Sequence, residues 1–457
     1  MYSPHTPQER EKMLRVIGVE RVEDLFADVP AGQRFPALEL PPAATEMEAA
    51  EELGHIAEAN ESVRDLVCFL GAGAYHHYIP AVVDSILRRG EFYTAYTPYQ
   101  PEVSQGTLQA IYEYQSLMCA LTGMEVSNAS HYDGATAAAE AVNMAYAQFR
   151  GKRTKMVLSP ALHPHYRQTV HTYTRGTGLL VTGDDGRPEE GPEALIPLIV
   201  ENTALVMVQY PDFFGRIYDY TALAEAAHEA GALFAVSVNP LALGMLTPPG
   251  EFGADIVTGE GQPLGIPLAF GGPYLGIFTT RKKYVRKMAG RLVGETVDGQ
   301  GRRGYVLTLT AREQHIRRER ATSNICTNQG LMALAATVYL SALGAQGLRQ
   351  VAELNYHKAH YAAERIASLE GFSLWQPETP FFNEFAVKCP RPVAEVNEHL
   401  LEHGVLGGYD LGQDYPTLEG YMLIAVTEMN SREDIDLLVN ILAESTQEGS
   451  HARTFSL

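Results

Sequence analysis

The stretch from Asp255 to Gly276, D-I-V-T-G-E-G-Q-P-L-G-I-P-L-A-F-G-G-P-Y-L-G, constrains this chain more than any other. It opens as a short β-branched strand, Asp255 to Thr258, and closes as a second one, Tyr274 to Thr279. Between them Pro263, Pro267 and the pair Gly271-Gly272 forbid a regular helix. Upstream, Ala232 to Val238 reads as a buried strand ending at Asn239-Pro240. Further upstream, strands (Lys155 to Ser159, Leu179 to Thr182, Ala204 to Tyr210) alternate with helical patterns (Pro192 to Glu201, Tyr220 to Ala230). Such a series implies a mostly parallel sheet covered on both faces. Gly259-x-Gly261-x-x-x-Gly265 lies one residue off a dinucleotide fingerprint. That fingerprint works only when a helix N-terminus follows to hold the pyrophosphate, and the two prolines remove the helix.

At 457 residues the chain is long enough for two or three domains. The boundaries expected are an N-terminal helical arm over 1–90, a large domain over 91–344 and a small α/β domain over 345–457. The arm holds a helix from Thr6 to Gly18, an extended Pro-bearing segment from Gln33 to Pro42, and an acidic helix from Thr45 to Glu61. The last portion reads as helix (Leu348 to Leu369), strand (Glu384 to Lys388), helix (Val393 to His403), strand (Tyr421 to Thr427) and helix (Glu433 to Glu444), on an antiparallel or mixed sheet. A net charge of −20 argues against nucleic acid and against anionic membranes. The four cysteines are far apart and without metal spacing, as expected of free thiols in a reducing compartment. The N-terminus has no signal-peptide core and no apolar run approaches a membrane span, so the expectation is a cytoplasmic protein.

Two polar clusters are candidates for function. In the first, Tyr96, Thr97, Tyr99, Gln100 and Glu102 alternate with Pro98 and Pro101, which hold the loop extended. A plain surface loop would expose its tyrosines for nothing, so a site or an interface is the better reading. In the second, Thr322, Ser323, Asn324 and Thr327 crowd before an apolar helix, Leu331 to Leu343. Some of these are helix caps; the excess suggests a lined cavity. Arg312, Arg317, Arg318 and Arg320 could grip an anion, but pairing with the abundant glutamates is the commoner use. The helix that opens near Asp133 has an N-terminus suited to an anion, yet Asp133 itself would repel one and reads as a cap. The adjacent His76 and His77 do not point the same way on any regular element, and no metal site is expected. His163 and His165 are core or surface residues at least as readily as site residues.

The strand ending at Asn239 and the strand running into the Gly-rich loop resemble the cofactor site of fold-type I pyridoxal phosphate (PLP) enzymes. There the first strand delivers an Asp to the pyridinium nitrogen and the loop delivers the Schiff-base Lys. Here Asn239 and Gln262-Pro263 hold those positions, so the frame is present without its chemistry. The eight lysines include none between the second strand and Gly271-Gly272.

Long motifs, Tyr96 to Gly106, Ala129 to Ala141, Thr247 to Asp255, Phe270 to Pro273, Arg312 to Arg318 and Ala321 to Thr327, resemble the glycine dehydrogenase (decarboxylating), or glycine cleavage P-protein, family over nearly the whole chain. The likeness is to the N-terminal half of the single-chain form, hence to the α subunit of the split form. It implies an α/β fold-type I PLP-transferase-like architecture and a partner half that carries the PLP lysine. It further implies glycine decarboxylation with transfer of the aminomethyl group to the lipoyl group of H-protein, and a heterotetramer of two α and two β subunits. Because active sites of this fold lie at subunit interfaces, the two polar clusters become candidate walls of the partner's site. A non-catalytic scaffold and a stand-alone PLP enzyme with an atypical lysine are the alternatives.

Overall fold

Seven strands form the central sheet: β1 (Val126–Ser127), β2 (Lys155–Leu158), β3 (Leu180–Thr182), β4 (Thr203–Tyr210), β5 (Leu233–Val238), β6 (Ile256–Glu260) and β7 (Gly276–Thr280). In this computed structural model, which describes residues 4–326 and 329–445, their spatial order is β1-β7-β6-β5-β4-β2-β3. The pairs from β3 through β6 are parallel, and β7 is antiparallel to both its neighbours. β4, β5 and β6 are buried almost throughout, as their unbroken apolar runs require of strands covered on both faces. Helix α3 (Gln105–Thr122), α4 (Gly134–Gln148), α5 (Pro164–Thr174) and α6 (Thr221–Glu229) lie in chain order around the sheet, where α1 and α2 are the N-terminal helices Pro7–Ile17 and Glu46–Glu58. α4 presents Ala137, Ala138, Ala141 and Ala145, all fully buried, and small side chains let it sit close on the strands.

A hairpin, β8 (Leu292–Val297) with β9 (Arg303–Thr308), was not foreseen from the sequence. Asp298 closes it by accepting the amides of Gln300 and Arg302. Helix α7 runs Gly330–Ala367, broken at Gly344, whose φ of +61° and ψ of −178° are not helical. This helix meets the length and composition of a membrane span, as buried core helices also do, and the break at Gly344 interrupts it. It packs Ala333, Ala336, Tyr339 and Leu340 into a core shared with Tyr114, Met118 and Leu264. Its second half lies on a four-stranded antiparallel sheet built from Ser373–Leu374, Glu384–Lys388, Tyr421–Ala425 and Tyr409–Asp410, with helices α8 (Val393–Glu402) and α9 (Arg432–Ser445) in the same core.

Residues through Glu61 form a compact unit of their own. In it α1 starts with a Thr6–Glu9 capping box and stops at Gly18, in the left-handed region at φ +88°. α2 starts with a second box, Thr45–Glu48. No residue of either helix is buried.

Candidate functional site

The carboxyl ends of β5 and β6 meet at the place where ligands bind in open α/β sheets. There Asn239, just past β5, borders the remaining space, and its Oδ1 accepts the Leu241 amide at 3.1 Å and closes a local turn. Gln262, two residues past β6, is 1% exposed and clamps a distant strip of backbone. Its Oε1 accepts the Tyr75 amide at 2.9 Å, and its Nε2 donates to the carbonyls of Tyr75 and Ile266 at 2.9 and 2.8 Å. The other edge of the strip is held by the buried Glu384, which accepts the Ala72 amide and the Tyr75 hydroxyl, both at 2.7 Å. The strip is Gly71 to Tyr75, and only glycine serves at Gly73: φ is +106° and a Cβ would stand 2.7 Å from His163 Nε2.

His163 occupies the frame, its Nδ1 accepting the His165 amide and its Nε2 therefore donating to the Ala72 carbonyl at 2.8 Å. Tyr166 lies flat against its ring, centroids 4.7 Å apart and planes 15° from parallel. Glu260, the last residue of β6, accepts the Gly134 amide at the start of α4 and the amides of Gln262 and Leu275. Asp133 caps α4 by accepting the Thr136 amide at 2.8 Å, in agreement with the cap read from the sequence. The space left among Tyr75, His163, Tyr166, Asn239, Glu260 and Pro263 is about 20 Å³.

The second region is open. Arg291, with a 3% exposed side chain, forms a buried ion pair with Glu313. Its Nη2 also donates to the Tyr99 hydroxyl and to Cys326 Sγ, both at 3.0 Å. One guanidinium thus ties the 96–102 loop, the 312–320 stretch and the 322–326 segment together, which brings the two predicted clusters to one region. Above it, Tyr96 is 78% exposed and Tyr99 53%; Gln100, Glu102, Thr322 and Asn324 are exposed, while Thr97 and Ser323 are half-buried. Thr327 lies outside the described residues. A cavity of about 280 Å³ opens here, lined by Tyr93, Tyr96, Arg291, Gln329, Leu331 and Ala333 among others. Ser323 accepts the Ile325 amide at 3.0 Å and also bonds the carboxyl of buried Glu140. Arg312 donates to the carbonyls of Met288, Gly290 and Leu309, so it braces backbone rather than gripping an anion.

Sequence reasoning missed Glu260, Tyr166, Arg291 and Glu384. For Glu260 a signal existed, since an acidic residue at the end of an otherwise apolar strand must find buried donors. His77, read as no metal ligand, bonds the Glu428 carboxylate at 2.8 Å. Elsewhere among the described residues, His399, His403 and Glu444 have ligand atoms within 4.8 Å of one another.

A sequence model of the glycine cleavage system P-protein family matches residues 1–442. The chain belongs to that family. It is 58% identical to a probable glycine dehydrogenase (decarboxylating) subunit 1 from Thermomicrobium roseum, over 98% of this chain and 100% of that one. It is 54% identical to the protein of the same name from Geobacillus kaustophilus, over 97% and 98% of the two chains. A crystal structure of glycine decarboxylase (P-protein) in inhibitor-bound form superposes with a TM-score of 0.89 at 44% identity, covering 97% of this chain and 99% of that chain. A sphingosine-1-phosphate lyase from Burkholderia pseudomallei superposes at 0.66 with 16% identity, over 93% and 96% of the chains, a likeness of fold alone. The architecture is that of fold-type I PLP enzymes, as expected from the sequence.

The residues of the frame do not fit PLP. Among the described residues no lysine lines it; Pro263 does, and the Asn239 side-chain oxygen is engaged by the Leu241 amide. The remaining 20 Å³ suffices for one water, whereas ligand pockets measure about 300–1,000 Å³.

Burial fixes a pH signature. It pushes Glu260 up to about 8, and Glu140 and Glu384 up to about 7, from an ordinary 4.5. It pushes His163 down to about 4 and His131 down to about 3, from 6.5. The carboxyls hold protons in the folded state that the unfolded chain has released, so their contribution falls as pH rises from 4.5 toward 8. The imidazoles weaken the fold only as pH drops below 6.5, where the unfolded chain takes up protons. Above about pH 7, where the unfolded imidazoles are largely neutral, the carboxyls dominate, and Tm is expected to fall toward pH 8, less steeply in Glu384→Gln. Calorimetry across that window would contradict this if the wild-type profile were flat or rising. Arg291→Met leaves Glu313 buried without its partner and is expected to cost about 3–5 kcal/mol in denaturant unfolding; a loss below about 1 kcal/mol would show that the pair does not organise the region.

Proposed function

We propose that this chain works as the α subunit of glycine decarboxylase by completing the active site of a PLP-bearing second subunit. The observation that carries the reading is the closed frame. A chain matched over 98% of its length by a probable subunit 1 has Pro263 and, among the described residues, no lysine lining the frame, and its own side chains leave about 20 Å³ there. Its contribution then comes from the open face. There Tyr96 lines the cavity beside Arg291, and Thr97, Tyr99, Gln100, Glu102, Thr322, Ser323 and Asn324 on the two segments tied to that arginine offer hydroxyls, amides and one carboxylate; Thr327 belongs to the same candidate set by sequence. Their work is to bind and orient substrate and to exclude water; no bond-making step is assigned to them.

The partner in this reading is a PLP-bearing P-protein subunit 2, and the lipoyl group of H-protein accepts the aminomethyl group derived from glycine. Two αβ pairs about a two-fold axis make a heterotetramer. An obligate pair of this kind buries well above about 2,000 Å², and the exposed Tyr93, Tyr96, Val103 and Phe270 supply apolar surface for it. The working place is the cytoplasm.

Glycine–bicarbonate exchange is therefore expected only when this chain, subunit 2 and H-protein are combined, with neither subunit active alone. Full exchange from subunit 2 and H-protein without this chain would refute the reading. In the assembled enzyme, Thr97→Ala, Glu102→Ala and Tyr99→Phe each remove one polar group while leaving the loop's prolines in place. At least one is expected to lower turnover by the equivalent of about 1–3 kcal/mol with little change in Tm. Unchanged exchange in all three would leave the chain as a scaffold.

A further inference from the structure

The N-terminus of α4 is where a fold of this type has free amides aimed at a buried switch point, and an anion is the natural occupant. In this chain the Glu260 carboxyl takes that place from inside. Its Oε2 accepts the Gly134 amide at 2.9 Å, and its Oε1 accepts the Gln262 amide at 2.9 Å and the Leu275 amide at 3.1 Å. Tyr166 closes the space alongside, its hydroxyl so near α4 that a Cβ on Gly134 would lie 2.3 Å from it. The ring of Tyr166 stacks on His163 while its hydroxyl reaches the helix, so it spans the frame from the imidazole to the free amides. Tyr114, fully buried, has a hydroxyl without a partner, and Glu260 is the charge that acts on it.

We propose that the Glu260 carboxyl is an internal acceptor that occupies this chain's own phosphate-type subsite, and that this occupation excludes phosphate-bearing ligands from the frame. Burial draws the carboxyl toward its neutral form and the three amides draw it back. In either form its oxygens satisfy the same three donors. Removing the side chain leaves three N–H groups, of Gly134, Gln262 and Leu275, around an enlarged cavity, with the Asp133 carboxylate close by at the start of α4. Such a cavity takes a small oxyanion, weakly because of Asp133.

The inference concerns this chain alone, so its failure would leave the proposed function untouched. The test is thermal unfolding of full-length wild type and Glu260→Ala in tens of millimolar inorganic phosphate or formate, against chloride at equal ionic strength. Wild type is expected not to respond. Glu260→Ala is expected to have a lower Tm that phosphate and formate, but not chloride, raise by several degrees. A variant as stable as wild type, or one indifferent to both oxyanions, overturns the proposal. Should Glu260→Ala accumulate unfolded, the yield of folded chain on refolding reads the same effect. A phosphate-dependent gain supports the internal acceptor, and equal yields with and without phosphate overturn it.

Discussion

The ends of parallel strands at a switch point leave backbone amides pointing into a space with no further strand to accept them. Buried and unpaired, each such group costs about 1–3 kcal/mol. In this chain three acidic or amide side chains answer that constraint. Glu260 takes the amides of Gly134, Gln262 and Leu275; Gln262 takes both sides of Tyr75; Glu384 takes Ala72 and the Tyr75 hydroxyl. Because these acceptors come from β6, its following loop and the small antiparallel sheet, satisfying the amides also locks the Gly71–Tyr75 strip across the frame. The same contacts that complete the fold close the pocket.

Closing one pocket divides the molecule's tasks. The frame becomes core, with histidines held neutral and carboxyls pushed toward neutrality by burial. The polar and aromatic residues that remain solvent-facing gather instead around Arg291, whose ion pair with Glu313 would be costly to bury without the further partners Tyr99 and Cys326.

The sheet and its helices were legible because their signals are local. The Thr6–Glu9 capping box with Pro7 and Gly18, the apolar runs of β4 and β5, and Gly123 at the end of α3 each state their element without tertiary help. The absent lysine and the displaced Asn239 could also be read off directly. Glu260 ends an apolar strand, which signals that it must find buried donors, but the amides it finds are 126 and 15 residues away in sequence, so their identity is not a local signal. Arg291 stood outside the arginine-rich stretch that drew attention. Its partners, Tyr99 and Glu313, lie 192 residues before it and 22 after it. The hairpin β8–β9 did have a turn signal, Asp298-Gly299-Gln300-Gly301, set between strands too polar at the ends next to the turn to stand out.

The frame has the fold of a PLP enzyme, about 20 Å³ of free space and, among the described residues, no lysine lining it. Borohydride reduction of the chain, alone and assembled with its partner in the presence of PLP, followed by peptide mapping, asks whether it takes the cofactor. None of its eight lysines is expected to carry a pyridoxyl group in either preparation. A stoichiometric pyridoxyl-lysine on any peptide of this chain would contradict that expectation.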